Sequence, residues 1–181
     1  WMGRWASGKG DAINEDRIDR CFSLLGPLVA PESGWSYIGG LDLGISHDHS
    51  GLVVVGASVA EQKIKLVWMR AWEPNSRTGE VDLTEVEDAC KSAHQLFGLY
   101  SLFYDPHQAK LMAQRLIRSN VPAREMVFSV SNVSKMAVTF LQVVESGILL
   151  CYDDEDGRLR RDFGKFSIVE RQYGFKLEAI S

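Results

Sequence analysis

The chain has 181 residues, of which 45% are hydrophobic and 24% charged, a composition that suits one domain with a sizeable core. The net charge of −4 argues weakly against a nucleic-acid partner. No apolar stretch is long enough to cross a bilayer and no signal peptide opens the chain, so no membrane partner is expected. The three cysteines, Cys21, Cys90 and Cys151, lie far apart with no CxxC spacing, which argues against both a cysteine zinc site and a disulfide framework.

Residues 1–36 are predicted to be a lead-in that precedes the domain. They contain a short helix around residues 15–24, followed by the Pro- and Gly-rich linker "GPLVAPESG". Because the first residue is Trp1 rather than Met, we expect the chain to be part of a longer polypeptide. The domain itself is expected to occupy residues 37–181.

Three strands are predicted at the start of that domain, over residues 37–43, 52–58 and 64–72. The turn "SHDHSG" is short enough to join the first two as an antiparallel hairpin. The second run is apolar almost throughout, which predicts burial on both faces. Together these segments predict an antiparallel meander.

Helices and strands alternate in the remainder. Amphipathic helices are predicted in "DLTEVEDACKSAHQLFG", "HQAKLMAQRLIRSN" and "NVSKMAVTFLQVVESG", the last capped by Ser131 or Asn132. Short strands are predicted in "YSLFYDP" and "EMVFSV", and two further extended pieces follow near the end. The sequence therefore predicts an α/β domain with a mixed sheet of about five main strands, flanked by helices.

Two predicted strands, the first and the fourth, end in aspartate. Asp42 and Asp105 stand at these ends, although aspartate is rare in strands and an unpaired buried charge is costly. A crossover can return the fourth strand beside the first and parallel to it, roughly 4.8 Å away. Both carboxylates would then face one crevice and repel each other unless a divalent cation lies between them. Hard oxygen ligands suit Mg²⁺ or Mn²⁺, and two such ions about 4 Å apart can catalyse phosphodiester displacement.

Each acidic residue also has a purely structural interpretation. Asp105 precedes Pro106 and a helix, a common arrangement for a helix N-cap. Asp42 could form a hydrogen bond within its own turn. Asp48 either shapes the hairpin or assists in holding the metal.

Basic residues outnumber acidic ones between residues 157 and 176, despite the negative net charge. These side chains either form a solvated helix face or contact nucleic-acid phosphates. The candidates for phosphate contact are Arg158, Arg160, Arg161 and Lys165.

The order of these motifs resembles the ribonuclease H-like architecture, and in particular the C-terminal nuclease domain of the large terminase subunit of tailed bacteriophages. "GLDLGISHDHSGLVVVG" resembles the first acidic motif and "LFYDPHQAKLMAQRL" the second. The opening "WMGRWASGKGDAINEDRID" resembles the segment that joins the packaging ATPase to the nuclease. "LRRDF" and the later "IVERQYGFKLEA" resemble segments near the end of that domain.

The resemblance implies a metal-dependent endonuclease that cuts concatemeric double-stranded viral DNA by a two-metal mechanism. Asp42 and Asp105 would be its catalytic metal ligands, with Mg²⁺ or Mn²⁺ as cofactor. The implied partners are double-stranded DNA, an upstream ATPase domain of the same polypeptide, the portal and the small terminase subunit, and the implied location is the host cytoplasm during virion assembly. The family also has a third acidic motif, which we expect to be missing because the sequence ends at Ser181 before any such residue.

Three other functions stay open at this point. A Holliday-junction resolvase of the same superfamily would share the first acidic motif but act on branched DNA. An actin-like ATPase or sugar kinase also begins with an Asp-x-Gly hairpin, of which this chain would be one half. The last possibility is an inactive module that docks DNA or a portal ring.

Overall fold

The computed structural model describes residues 13–44, 48–171 and 174–179. Its first element is a helix, α1 (Glu15–Cys21), whose start is capped by the side chain of Asn14 accepting a hydrogen bond from the Arg17 amide. The helix ends earlier than predicted, because the chain turns at Phe22 into a short strand, β1 (Phe22–Leu24).

The antiparallel meander is formed by β2 (Ser36–Asp42), β3 (Ser50–Ser58) and β4 (Lys63–Trp72). The prediction that the second strand is buried on both faces was wrong. Side chains along β3 alternate, with Leu52 and Val54 inaccessible and Val53 42% exposed. The apolar run therefore has one face in the core and one partly open face.

The remaining helices are α2 (Leu83–Phe97), α3 (Pro106–Arg118), α4 (Val130–Glu145) and α5 (Arg158–Gly164). The remaining strands are β5 (Ser101–Tyr104), β6 (Ala123–Glu125), β7 (Leu149–Tyr152), β8 (Phe166–Arg171) and β9 (Gly174–Ala179). As the sequence predicted, α2 begins at a cap, Asp82, and ends at Gly98, which adopts the left-handed conformation that favours glycine.

Two local predictions differ from the structure. The strand expected over "EMVFSV" ends at Glu125, and the following residues lead instead to Ser129. That serine caps α4 by accepting a hydrogen bond from the Asn132 amide, so the cap is neither Ser131 nor Asn132. The helix therefore begins two or three residues earlier than predicted.

Seven strands form the main sheet, in the order β1-β7-β4-β3-β2-β5-β6. All neighbouring pairs are parallel except those that involve β3, which is antiparallel to β2 and β4. The predicted mixed α/β sheet with flanking helices is confirmed, and β1 and β7 extend it on one side. The last two strands, β8 and β9, form a separate antiparallel hairpin.

The sheet is packed on both sides. One core cluster joins the meander and β5 to α2 and α3, and includes Val67 and Leu102. The other joins β4 and β7 to α1, α4 and α5, and includes Leu66 and Phe163. Among the residues described, no helix has the length and apolar character that a membrane span requires.

Candidate metal centre

Asp42 and Asp105 end neighbouring parallel strands. The register of β2 and β5 pairs Leu41 with Tyr104. Asp42 is the last residue of β2, and Asp105 directly follows β5 in extended conformation. Leu41 and Tyr104 both face the first core cluster, so the side chains that follow them point toward the opposite face. The crossover through α2 thus brings two carboxylates that are 63 positions apart in the sequence to one edge of the sheet.

The electrostatics of this edge disfavour negative charge. Asp42 stays accessible to solvent, but neighbouring atoms partly shield its carboxyl group, and this desolvation raises its pKa. Repulsion from Asp105 and then from Asp48 raises that pKa further. A divalent cation would relieve this repulsion, and carboxylate oxygens are the ligands that Mg²⁺ and Mn²⁺ prefer.

Asp105 is also the cap that its sequence context predicts. Its Oδ1 accepts a hydrogen bond from the amide of His107 at 3.0 Å, and Pro106 occupies the first helical position of α3. A carboxylate has a second oxygen, so capping and metal binding are compatible. The cap fixes the position of the carboxylate at the strand end.

Contacts between Gly44 and the segment of residues 48–50 position Asp48. Ser50, which is only 1% exposed, accepts a hydrogen bond from the Gly44 amide and donates one to the Gly44 carbonyl, both at 3.1 Å. A Cβ atom on Gly44 would lie 2.6 Å from the Asp48 carbonyl oxygen, so only glycine permits this close approach. His47, beside Asp48 in the sequence, lies outside the described residues.

Asp42 and Asp105 could supply only part of the ligand set that a cation needs. Within residues 13–44, 48–171 and 174–179 no group of three or more His, Cys, Asp or Glu side chains is arranged to hold a metal ion. Asp48 interacts with Asp42 through charge rather than as a third member of such a group.

Sequence reasoning missed a second group of polar residues beside this edge. Glu73 follows the end of β4, and its Oε1 lies 3.5 Å from His49 Nε2 and 3.4 Å from Arg158 Nη1. The pairing of Ser50 with Trp72 places His49 and Glu73 at facing positions just beyond the two strands. A signal was available in the sequence, since Glu73 is an acidic residue directly after the third predicted strand.

The four basic residues predicted to contact phosphates all lie on α5 or directly after it, and each has an intramolecular partner. Arg160 is the most constrained, because it binds both oxygens of Asp153 and also lies 2.7 Å from Asp19. Arg161 donates to the Asp156 carbonyl, Lys165 lies 3.6 Å from Asp162, and Arg158 is paired with Glu73.

Comparison with known proteins gives a clear result only at the level of structure. No protein-family model matches the chain, and no curated protein matches it. The large terminase of bacteriophage HK97 superposes with a TM-score of 0.73 over 94% of this chain and 40% of its own length, at 16% identity. The large terminase nuclease of the thermophilic phage G20c, solved with bound magnesium, gives a TM-score of 0.69 over 97% of this chain and 90% of its own, at 12% identity.

The chain has the terminase-nuclease fold. The large terminase nuclease domain of a Thermus phage supports the same conclusion, with a TM-score of 0.68 over 92% of this chain and 85% of its own, at 14% identity. The G20c nuclease has also been solved with cobalt and with zinc. The chain spans about two fifths of the HK97 large terminase, so it corresponds to one part of that protein.

Proposed function

We propose that this chain is the metal-dependent nuclease domain of a viral DNA-packaging terminase. The observation that carries the proposal is the meeting of Asp42 and Asp105 at the ends of neighbouring parallel strands. It is supported by the fold, which is shared with terminase nucleases, one of which was solved with bound magnesium.

In this proposal, the chain's own residues bind the metal cations. Asp42 and Asp105 bind Mg²⁺ or Mn²⁺, and Asp48 increases the negative potential that attracts the ion. When bound, the metal polarises a phosphoryl oxygen and lowers the pKa of water, and a pair of ions would stabilise both the attacking and the leaving oxygen. The helix cap at Asp105 keeps its carboxylate from moving as the ion binds.

The proposed substrate is concatemeric double-stranded DNA, and the contacts to it are mainly electrostatic. Arg158, Arg161 and Lys165 are exposed on or directly beside α5 and provide cations for backbone phosphates. Arg160 was part of the same prediction, and its carboxylate partners give it a structural task as well.

The proposal also includes an upstream ATPase domain, further protein partners and a place of action. In it, residues 1–36 connect the nuclease domain of residues 37–181 to an upstream ATPase domain. The portal and the small terminase subunit are its further partners, and the host cytoplasm during virion assembly is the place of action.

The test is cleavage of plasmid DNA by the intact protein in Mg²⁺ or Mn²⁺, comparing wild type with Asp42→Asn. We expect the variant to lose at least about 100-fold in cleavage rate, because a metal ligand contributes more than the outer-shell groups that already cost 10- to 100-fold. Calorimetric titration with Mn²⁺ should show weaker binding by the variant. Asp88→Asn, which removes an exposed carboxylate from α2, is the matched control and should cleave normally.

Two results would reject the proposal. One is cleavage by Asp42→Asn at the wild-type rate, and the other is complete inactivity of the wild type in both metals, which would favour a docking module. A preference for four-way junctions over linear duplex would favour the resolvase instead.

A further inference from the structure

A cleft of about 450 Å³ opens beside the candidate metal centre. Its walls are the loop of residues 73–79 and the side chain of His49. The loop is shaped by Asn75, whose side chain accepts a hydrogen bond from the Arg77 amide at 2.9 Å and whose carbonyl accepts one from the Gly79 amide. The cleft is therefore a built feature of the fold.

The register of the sheet places this cleft on the β4 side of Asp42. Asp42 pairs with Gly51 of β3, and Gly51 pairs with Ala71 of β4, two residues before Glu73. Paired residues share a face, so small side chains occupy the surface between the aspartate and the cleft. A Cβ atom on Gly51 would meet nothing within 4 Å, so this surface is open.

Two arginine side chains lie at or beside the cleft. Arg77 lines it, and Arg158 reaches it from α5 to contact Glu73. The Arg158–Glu73 pair is a single contact of 3.4 Å between side chains that are 55% and 71% exposed. Arg160, by contrast, contacts both oxygens of its carboxylate partner, Asp153. An exposed pair with one long contact contributes little free energy and can exchange partners easily.

We propose that Glu73 occupies the place of a DNA backbone phosphate, and that a phosphate of the bound strand away from the cleaved one displaces it. This inference rests on the proposed nuclease function. The bound strand then runs from the two aspartates across Gly51 and Ala71 into the cleft, where Arg158 and Arg77 contact its phosphate. An Arg–phosphate contact has the geometry and charge to replace an Arg–carboxylate contact, because both partners present charged oxygens to the guanidinium.

The experiment measures binding of the intact protein to a fluorescent linear duplex by anisotropy, without divalent metal and over a series of salt concentrations. We expect Arg158→Gln to weaken binding about threefold to tenfold at 0.1 M salt and to reduce the slope of log K against log salt by about 1. Glu73→Gln should act in the opposite direction and tighten binding, because it frees Arg158. In the double variant the gain from Glu73→Gln should disappear.

A matched ion pair on the other face of the sheet provides the control. Arg70 and Glu85 lie 2.9 Å apart, with side chains 50% and 55% exposed, and pair β4 with α2. Arg70→Gln and Glu85→Gln change the net charge by the same amounts as Arg158→Gln and Glu73→Gln. We expect each control variant to shift the affinity for DNA less than twofold.

Equal effects of the two arginine variants, or a gain from Glu73→Gln that persists without Arg158, would overturn the inference by showing a response to net charge alone. If these results were obtained and Asp42→Asn also lost cleavage, the nuclease function would still be supported. Only the role of the cleft in binding DNA would be rejected. Melting curves are recorded for every variant to identify any that fails to fold. If Arg158→Gln fails to fold, Arg158→Lys, which keeps the charge, is measured in its place. That variant should retain most of the salt slope if the contact is to phosphate.

Discussion

Asp105 shows how one side chain can serve both the fold and the chemistry. Its Oδ1 caps α3 through the His107 amide, while its place at the end of β5 brings it beside Asp42. The two tasks need different properties, since capping requires only an acceptor, whereas holding divalent cations against a neighbouring carboxylate is favoured by a full negative charge. They can therefore be separated by substitution.

Asp105→Asn should preserve the helix cap but abolish DNA cleavage. Asparagine is about as good a cap as aspartate, whereas Asp105→Ala removes the acceptor and should cost about 1 kcal/mol of unfolding free energy. We expect both variants to lose DNA cleavage, and only the alanine variant to unfold at lower urea concentration. If Asp105→Asn cleaves normally, Asp105 is a cap and nothing more.

At the scale of elements, the segment between β2 and β3 determines the position of Asp48, the second acidic neighbour of Asp42. Gly44 and Ser50 close the loop through two hydrogen bonds, and Gly44 has no room for a side chain against the backbone of Asp48 and His49. The position of Asp48 is thus set by backbone packing.

Gly44→Ala is expected to open this loop. A Cβ atom there would lie 2.5 Å from the His49 carbonyl oxygen, and the forced shift should cost about 1–3 kcal/mol. The control is Gly51→Ala, where nothing lies within 4 Å of the new atom. Urea unfolding should distinguish the two, and equal stability would contradict the tight packing at Gly44.

A second element-scale feature is the ionic contact between the two crossover helices. Glu87 of α2 binds Lys91 at 2.8 Å on its own helix and Arg115 of α3 at 2.6 Å. The hydrogen bond from Lys91, followed by the bond and charge of Arg115, lowers the pKa of Glu87 below its ordinary value of 4.5 despite its partial burial.

Glu87→Gln should therefore lower stability in a pH-dependent way. Because the folded-state pKa is lowered, the stabilisation is complete above pH 4.5 and disappears as the pH falls through the folded-state value. We expect a loss of about 1 kcal/mol at pH 7 that shrinks toward zero in acid. Asp88→Asn, which removes only a 3.4 Å contact with Lys91, should change little at any pH when the same unfolding series is measured.

At the scale of the whole molecule, the described part of the lead-in is integrated into the fold. Cys21 and Phe22 are buried in the second core cluster, and β1 pairs with β7 at the edge of the sheet. Arg160 holds this arrangement together. It contacts Asp19 of α1 and Asp153 after β7, and its guanidinium lies over the ring of Phe22 at 4.8 Å.

Arg160→Ala is expected to loosen this side of the molecule. Losing two ion pairs and a cation–π contact should cost roughly 1–2 kcal/mol and speed amide exchange in α1. Arg161→Ala is the control, because its contact to the Asp156 carbonyl stays within one short segment. Unchanged exchange in α1 after Arg160→Ala would mean that the apolar contacts alone hold the helix in place.

The fold class, and the placement of two acidic residues at the ends of neighbouring strands, were readable from the sequence. Apolar runs bounded by short turns predicted the meander, and helical apolar patterns predicted three of the helices. Asp42 and Asp105 could be identified because aspartate at a strand end is chemically unusual. Their role as metal ligands remains a prediction.

What the sequence left open depended on contacts between distant segments. Nothing local to Glu73 predicts that Arg158, 85 positions later, will pair with it, and nothing local to Arg160 predicts that it will bind Asp19 across 141 positions. The strand β1 was missed for the same reason, whereas the cap at Ser129 is a local hydrogen bond from the Asn132 amide. A three-residue strand has too little pattern of its own, and only the neighbouring strand β7 stabilises it in place.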